Sequence, residues 1–275
     1  MPELPETETI ARDLNASVAG RQITGVKVTK PDVLREIGRI AFARKLTGAT
    51  LLGSWRRAKL IVTDLSTADR IVVQPRFTGA LIVQDSNTDP SIFGYSTLRL
   101  SLDDGRALHY CDVRRLGTVA LMNERRFNEY SGALGIEPLD QTFTPSQLSG
   151  VLRGSSQPVK KVLMDQRRIA GIGNIYANEA LWRAGIDPSR AAKSIDLEEA
   201  SLLRDEIVSV LRESIEARGT SFRDYRDARG ERGRFAEQLQ AYGRGGEPCL
   251  RCGRTLILTH AIDGRATVFC ARCQK

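Results

Sequence analysis

Apolar residues step by four near the start of the chain. Ile10, Leu14 and Val18 lie at i, i+4 and i+8, which predicts a helix to about Gly20 with one buried stripe. From Gln22 to Leu121 the texture changes to short β-rich runs: Ile23 to Thr29, Thr50 to Trp55, Leu60 to Thr63, Ile71 to Val73, Ala80 to Val83, Leu98 to Leu102, Leu108 to Tyr110 and Thr118 to Leu121. Turn formers such as Asp103-Asp104-Gly105 separate them at fairly regular spacing, which predicts an antiparallel sandwich or barrel. Beyond about Asn123 the pattern turns helical. Thr144-Pro145-Ser146-Gln147 is a capping box with Pro at the first helical position. Leu203, Ile207, Leu211 and Ile215 form the apolar stripe of a helix from about Ile195 to Ala217. The fold class is α+β, with a boundary near residues 123 to 135.

A chain of 275 residues, 41% hydrophobic and 27% charged, is long enough for one large or two ordinary domains with their own cores. No stretch approaches the ~18 apolar residues of a membrane span, and no basic-then-apolar leader opens the chain, so a cytoplasmic protein without a membrane partner is expected. The net charge is +8, which suggests a polyanionic partner. From Arg218 to Lys275, 11 Arg and 1 Lys against 3 Asp and 3 Glu leave +6. The excess is concentrated in the C-terminal fifth.

Four of the five cysteines, Cys249, Cys252, Cys270 and Cys273, form C-x2-C, seventeen residues, C-x2-C. That spacing matches a four-thiolate zinc site, and a structural Zn2+ with no open position is expected. Cys111 is left over for packing. His109 and His260 are not needed as ligands.

The first residues are Met1-Pro2-Glu3-Leu4-Pro5-Glu6. If Met1 is removed, Pro2 becomes a terminal secondary amine, and an α-amino group titrates near pH ~8, far below a lysine. Such an amine can attack a sugar's anomeric carbon and form an iminium, an electron sink. The same residues also simply start a helix well, since Pro lacks an N–H and acids complement the positive dipole end. A second ambiguous stretch is Ala170-Gly171-Ile172-Gly173-Asn174-Ile175. Its glycines allow close approach to a phosphate at a helix start, or it is a tight helical hairpin with Asn174 as N-cap.

Taken together, several motifs resemble those of bacterial formamidopyrimidine-DNA glycosylases, in the superfamily shared with endonuclease VIII. They are Met-Pro-Glu-Leu-Pro-Glu, Arg56-Arg57-Ala58-Lys59, Asp112-Val113-Arg114-Arg115-Leu116-Gly117, the Gly-Ile-Gly-Asn turn with Tyr176-Ala177-Asn178-Glu179, Gly219 to Tyr225, Tyr242-Gly243-Arg244 and the finger ending Cys273-Gln274-Lys275. Each is weak alone, and their order over nearly the whole chain is specific. Leu4 is similar to the glycosylase branch, where endonuclease VIII usually has Gly.

The resemblance implies an N-terminal antiparallel β-sandwich with flanking helices over 1–123, a helix-two-turn-helix domain over 124–235 carrying a lesion-recognition loop at about 218–234, and a zinc finger over 236–275. It implies base excision repair by a bifunctional DNA glycosylase and AP lyase that removes 8-oxoguanine and formamidopyrimidines from duplex DNA and cleaves the strand by β,δ-elimination. Pro2 would be the nucleophile, Glu3 the acid and base, Glu6 a holder of geometry and charge, and Lys59 a catalytic-site lysine near lesion and phosphate. Lys160, Asn174 and Arg265 would meet the DNA backbone, and Phe77, Arg114 and Leu116 would fill the hole left by the extruded base. The expected partner is double-stranded DNA with an oxidised base or abasic site. A monomer associated with the nucleoid, with no redox or nucleotide cofactor, is expected. Alternatives are an endonuclease VIII-like enzyme for oxidised pyrimidines and a non-catalytic zinc protein that binds damaged DNA.

The chain departs from the family pattern at several points. Phe77 stands where Met is usual and Leu116 where Phe is usual, so the aromatic wedge has moved between loops. Gln74-Pro75-Arg76 replaces a common His-Leu-Gly, Arg168 replaces an aliphatic residue, and Thr7 replaces Val.

Overall fold

The computed structural model describes residues 2–86, 88–222 and 224–275. The state of Met1, and Arg223 within the 219–225 motif, lie outside the described residues. The chain divides into two compact units, Met1–Gly132 with Ile215–Ala236, and Ala133–Ser214 with Glu237–Lys275. This grouping differs from the three consecutive parts expected from sequence: the 218–234 loop folds with the first unit, and the four-cysteine segment folds with the helices.

The first unit opens with α1 (Leu4–Val18), followed by β1 (Ile23–Val28), β2 (Leu34–Arg35), α2 (Arg39–Leu46), β3 (Leu51–Arg57), β4 (Leu60–Leu65), β5 (Asp69–Gln74), β6 (Gly79–Gln84), β7 (Ser96–Leu102), β8 (Ala107–Asp112), β9 (Thr118–Asn123) and α3 (Glu124–Gly132). All eight strands expected from the pattern are present. With the short, unexpected β2 they form two sheets, ordered β1-β7-β8-β6 and β2-β9-β5-β4-β3. The pairing is antiparallel except where the two-residue β2 runs parallel to β9. Apolar residues that alternate along the strands meet in one core, where Leu51, Ile71, Val73, Leu81, Leu98, Leu100, Leu108 and Tyr110 pack with Ile10, Leu14 and Val18 of α1. Burying one such aliphatic side chain is worth ~1.5–3 kcal/mol, so the α1 stripe is a main tether of the chain's start. α2 escaped the pattern because it buries only Phe42 and Leu46.

The second unit contains α4 (Pro145–Arg153), α5 (Val159–Met164), α6 (Asn174–Ala184), most of α7 (Leu197–Glu216) and the hairpin β10 (Ile257–Thr259) with β11 (Thr267–Phe269). Thr144 caps α4 as expected, its hydroxyl accepting the Gln147 N–H at 3.2 Å. Gly185 ends α6 in the left-handed region at φ 71°, where glycine avoids the Cβ penalty. Leu203, Ile207 and Leu211 are the buried stripe of α7. No helix among the described residues is long and apolar enough to cross a membrane.

Candidate active site and nucleic-acid interface

Pro2 and Glu3 are both buried and lead directly into α1. Glu3 occupies the N-cap in extended conformation. One oxygen of the Glu6 carboxylate accepts the Glu3 N–H at 2.8 Å, and the other accepts the Thr220 N–H at 2.7 Å. A buried carboxylate is tolerated when donors and the positive end of a helix serve it, and both are present here. Gly219 sits at φ 85°, and a Cβ there would lie 2.9 Å from the Glu6 side chain. The close approach of loop to helix therefore requires glycine. Tyr225 donates to the Glu6 carbonyl at 3.4 Å, and burial, followed by the Glu6 charge, pushes its phenol well above the usual range. Thr7, one of the departures, is buried with its hydroxyl 2.9 Å from the Glu3 carbonyl, so a polar residue costs little there.

Lys59 is half-buried in the turn between β3 and β4, after Ala58 at φ 53°. The Ala58 carbonyl lies 3.5 Å from Thr7 Oγ1 and accepts from Arg56 at 3.1 Å. Arg56 also pairs with Glu8 at 2.8 Å. These contacts seat the turn carrying Lys59 against the first turns of α1.

The 218–234 loop is anchored on Asp227, which is fully buried. Asp227 accepts Arg218 Nε at 2.7 Å and the N–H groups of Arg229 and Glu231 at 2.9 Å each. Arg218 also meets Asp13 of α1 at 2.5 Å, and the two carboxylates outweigh burial to raise its pKa. Phe222 stands exposed on this fixed base.

Phe77 and Leu116 are 46% and 40% exposed. The Arg114 guanidinium lies over the Phe77 ring, 4.9 Å from its centre. Phe77 belongs to the β5–β6 turn and Arg114 and Leu116 to the β8–β9 loop, so the three expected wedge residues come together at one end of the sandwich. Arg76 and Arg115 both adopt left-handed φ, 50° and 51°.

In the second unit, Asn174 is the first residue of α6, with Gly173 in the N-cap position. Its side chain does not cap the helix. It donates to the Ala266 carbonyl at 3.0 Å, and Asn178 Nδ2 reaches the same oxygen at 3.4 Å. Lys160 is fully buried on α5, its ammonium donating to Ala266 O at 2.9 Å and Thr267 Oγ1 at 2.7 Å. That places Lys160 beneath the finger hairpin, holding the turn from within. Arg265 precedes this shared acceptor and is exposed. Asn174 and Arg265 are thus brought together through one carbonyl. Arg168, another departure, pairs with Asp165 at 3.5 Å.

The Sγ atoms of Cys249, Cys252, Cys270 and Cys273 all lie within 4.8 Å of one another. Tetrahedral Zn–S bonds of ~2.3 Å require sulfurs ~3.8 Å apart, so the cluster fits zinc. Burial raises the Cys249 thiol, but the N–H groups of Arg251 and Cys252 oppose it and bring it down to about 6. Burial and the three neighbouring sulfurs push Cys273 up to about 12. The buried Trp182 Nε1 has no full hydrogen bond; it packs in the cluster of Cys249 and Cys270 and also lowers the Cys249 thiol. An indole N–H turned toward a sulfur is what a metal-bound thiolate uses.

Three buried groups were not singled out from sequence. Asp112 accepts from the hydroxyl of Thr78, and from Tyr110 at 3.2 Å and Gly117 N at 2.8 Å. Glu179 accepts the N–H groups of Gln240, Ala241 and Tyr242 at 2.7–2.9 Å, and burial outweighs these donors to raise its pKa. Asp227 anchors the loop. Asp112 and Glu179 lie inside quoted motifs, so their presence was visible, but a carboxylate's backbone partners leave no trace in spacing.

Comparison with known proteins agrees along the whole chain. Residues 1–119 match the formamidopyrimidine-DNA glycosylase N-terminal domain, 134–226 its H2TH domain, and 246–275 the zinc finger found in FPG and IleRS. Formamidopyrimidine-DNA glycosylases of Desulfitobacterium hafniense and Heliobacterium modesticaldum are each 41% identical over all of both chains. The crystal structure of the MutM (Fpg) protein from Thermus thermophilus superposes with a TM-score of 0.87 at 34% identity, covering 99% of this chain and 98% of that one. The Lactococcus lactis Fpg in complex with N7-benzyl-Fapy-dG DNA gives 0.91 at 31% identity over 100% of both chains. A buried acidic helix start and a four-thiol finger thus occur in a chain that matches these proteins along its whole length, and the chain belongs to the formamidopyrimidine-DNA glycosylase family.

Proposed function

We propose that the protein is a bifunctional DNA glycosylase and AP lyase acting on 8-oxoguanine and formamidopyrimidines in duplex DNA. The observation that carries this reading is the buried Pro2-Glu3 start of α1, pinned by the two-sided Glu6 carboxylate. With Met1 removed, the Pro2 nitrogen attacks C1′ of the damaged nucleotide, the base leaves with the proton that the Pro2 amine gives up, and Glu3 protonates the ring oxygen as the sugar opens to the Pro2 iminium. The iminium withdraws electrons from C2′. Glu3, now a carboxylate, removes a C2′ proton, and the 3′ phosphate leaves; a second elimination expels the 5′ phosphate.

Lys59 would contact lesion and nearby phosphate. Asn174 and Arg265 would neutralise phosphates, giving affinity without sequence information. Lys160 would serve the same contact from below, through the Ala266 turn it holds. Phe77, Arg114 and Leu116 would occupy the vacated place in the stack, with Arg114 reading the orphaned base. The 218–234 loop would cover the extruded purine. Zinc, held by Cys249, Cys252, Cys270 and Cys273, would order the finger and enter no step. A Lactococcus lactis Fpg mutant has been captured with Fapy-dG DNA, and Lactococcus lactis Fpg with abasic-site DNA, which supports the same partners here. The protein would act as a cytoplasmic, nucleoid-associated monomer.

A panel of duplexes carrying 8-oxoguanine, formamidopyrimidine, thymine glycol or an abasic site tests the reading. Strand cleavage at the first two and at the abasic site is expected. Faster cleavage at thymine glycol than at 8-oxoguanine would point to an endonuclease VIII-like enzyme, and lesion binding without any cleavage would point to a non-catalytic protein.

A further inference from the structure

The two loops that carry the wedge are tied together at one buried carboxylate. Asp112, the last residue of β8, is 2% exposed, and among the described residues no cation pairs with it. Its Oδ1 accepts the Thr78 hydroxyl, while its Oδ2 accepts Gly117 N–H at 2.8 Å and the Tyr110 hydroxyl at 3.2 Å. Thr78 Oγ1 in turn accepts the Arg114 N–H at 3.0 Å. Thr78 follows Phe77, Gly117 follows Leu116, and Arg114 is bound through its own backbone. All three wedge residues therefore lie within one residue of a group fastened to Asp112.

The packing leaves this arrangement no slack. A Cβ on Gly117 would fall 1.9 Å from the Tyr110 hydroxyl and 2.8 Å from the Gln74 carbonyl; one on Gly79 would fall 2.3 Å from the Pro75 carbonyl. An unpaired buried carboxylate is expensive to keep. One held only by donors from the elements it joins acts as a rivet between them.

We infer that Asp112 is a positioning residue that locks the β5–β6 turn and the β8–β9 loop into one rigid inserting tool, so that Phe77, Arg114 and Leu116 enter the stack together. This rests on the glycosylase reading above. Displacing a paired base costs a few kcal/mol, and a tool that had to order its loops during insertion would add their conformational entropy to that barrier. The demand falls on lesions whose base must be pushed out. It is small at an abasic site, which holds no base to displace.

The experiment compares the wild type with Asp112→Asn and Thr78→Val on two duplexes, one with 8-oxoguanine opposite cytosine and one with a preformed abasic site. Melting temperature and zinc content report folding. We expect each variant to lose about tenfold or more in the rate of 8-oxoguanine removal, equivalent to ~1.4 kcal/mol of barrier, with cleavage at the abasic site within about threefold. Fluorescence of 2-aminopurine beside the lesion should show slower unstacking in the variants. Equal loss on both duplexes would make Asp112 merely structural, and undiminished 8-oxoguanine removal would make it idle; either result overturns the inference. If Asp112→Asn does not fold, Thr78→Val decides. A wild type that cuts neither duplex would fail the glycosylase reading itself, and the inference with it.

Discussion

The Glu6 carboxylate accepts the backbone N–H of Thr220 at 2.7 Å across 214 residues of chain. Its other oxygen holds the N–H of Glu3, so one side chain fixes both the start of α1 and the root of the 218–234 loop. Glu6→Gln keeps the shape but turns an amide NH2 toward one of these N–H groups. Because a buried donor left facing a donor costs ~1–3 kcal/mol, the variant should be less stable by about 2 kcal/mol in chemical denaturation. Its borohydride-trapped yield on abasic DNA should fall with it. A variant as stable as wild type would show that the link to Thr220 carries no weight.

Arg76 adopts φ 50°, where the resemblance places a common Gly. A non-glycine residue in the left-handed region is strained by ~1–2 kcal/mol, partly offset by the ~0.5–1 kcal/mol that Gly loses in chain entropy. Arg76→Gly should therefore raise stability by roughly 0.5–1 kcal/mol, or about 2 °C in Tm, read by calorimetry. An unchanged or lower Tm would contradict the strain.

The finger holds Arg265 beside the carbonyl shared by Lys160, Asn174 and Asn178. Removing zinc with a chelator should disorder that turn and weaken duplex binding by about tenfold or more, because structural sites contribute folding energy outright. Arg265→Ala should reduce the slope of log K against log salt by about one while leaving zinc bound. Duplex affinity unaffected by chelation would refute the structural role of the metal.

His109 lies under Phe93, with Ser96 and Gln84 on its two nitrogens at 2.8 and 2.9 Å. Burial, then the Arg99 charge, lowers its pKa from 6.5 to about 4. Between those values the unfolded chain takes up a proton that the folded chain refuses. The His109 contribution to stability is thus full above pH 6.5 and is lost as pH falls toward 4. His109→Gln should show a smaller drop in Tm from about pH 7 to about pH 5 than wild type; an identical drop would contradict the buried neutral ring.

Much of this architecture is legible from the chain's letters. The eight strand runs, the α1 stripe, the Thr144 cap and the four-cysteine spacing are local signals, and each appears where the pattern puts it. What escaped was long-range. Nothing near Asp112 announces that Thr78 will help satisfy it, because that donor arrives from the β5–β6 turn, 34 residues earlier in the chain. The grouping of 215–236 with the first unit depends on Glu6 and Asp13 reaching Thr220 and Arg218, which no local period encodes. The resemblance places Lys160 on the phosphate side of the site, and the chain's letters alone do not reveal that it is buried, because lysine is rarely buried. The acceptors that make its burial possible, Ala266 and Thr267, lie more than one hundred residues away.

In the proposed reaction the nitrogen of Pro2 captures the deoxyribose. Reducing the reaction with abasic DNA by borohydride, digesting the complex and mapping the adduct by mass spectrometry tests it most directly. A peptide that lacks Met1 and carries the sugar on the nitrogen of Pro2 is expected. An adduct on Lys59 or another lysine, or an active protein that retains Met1, would contradict it.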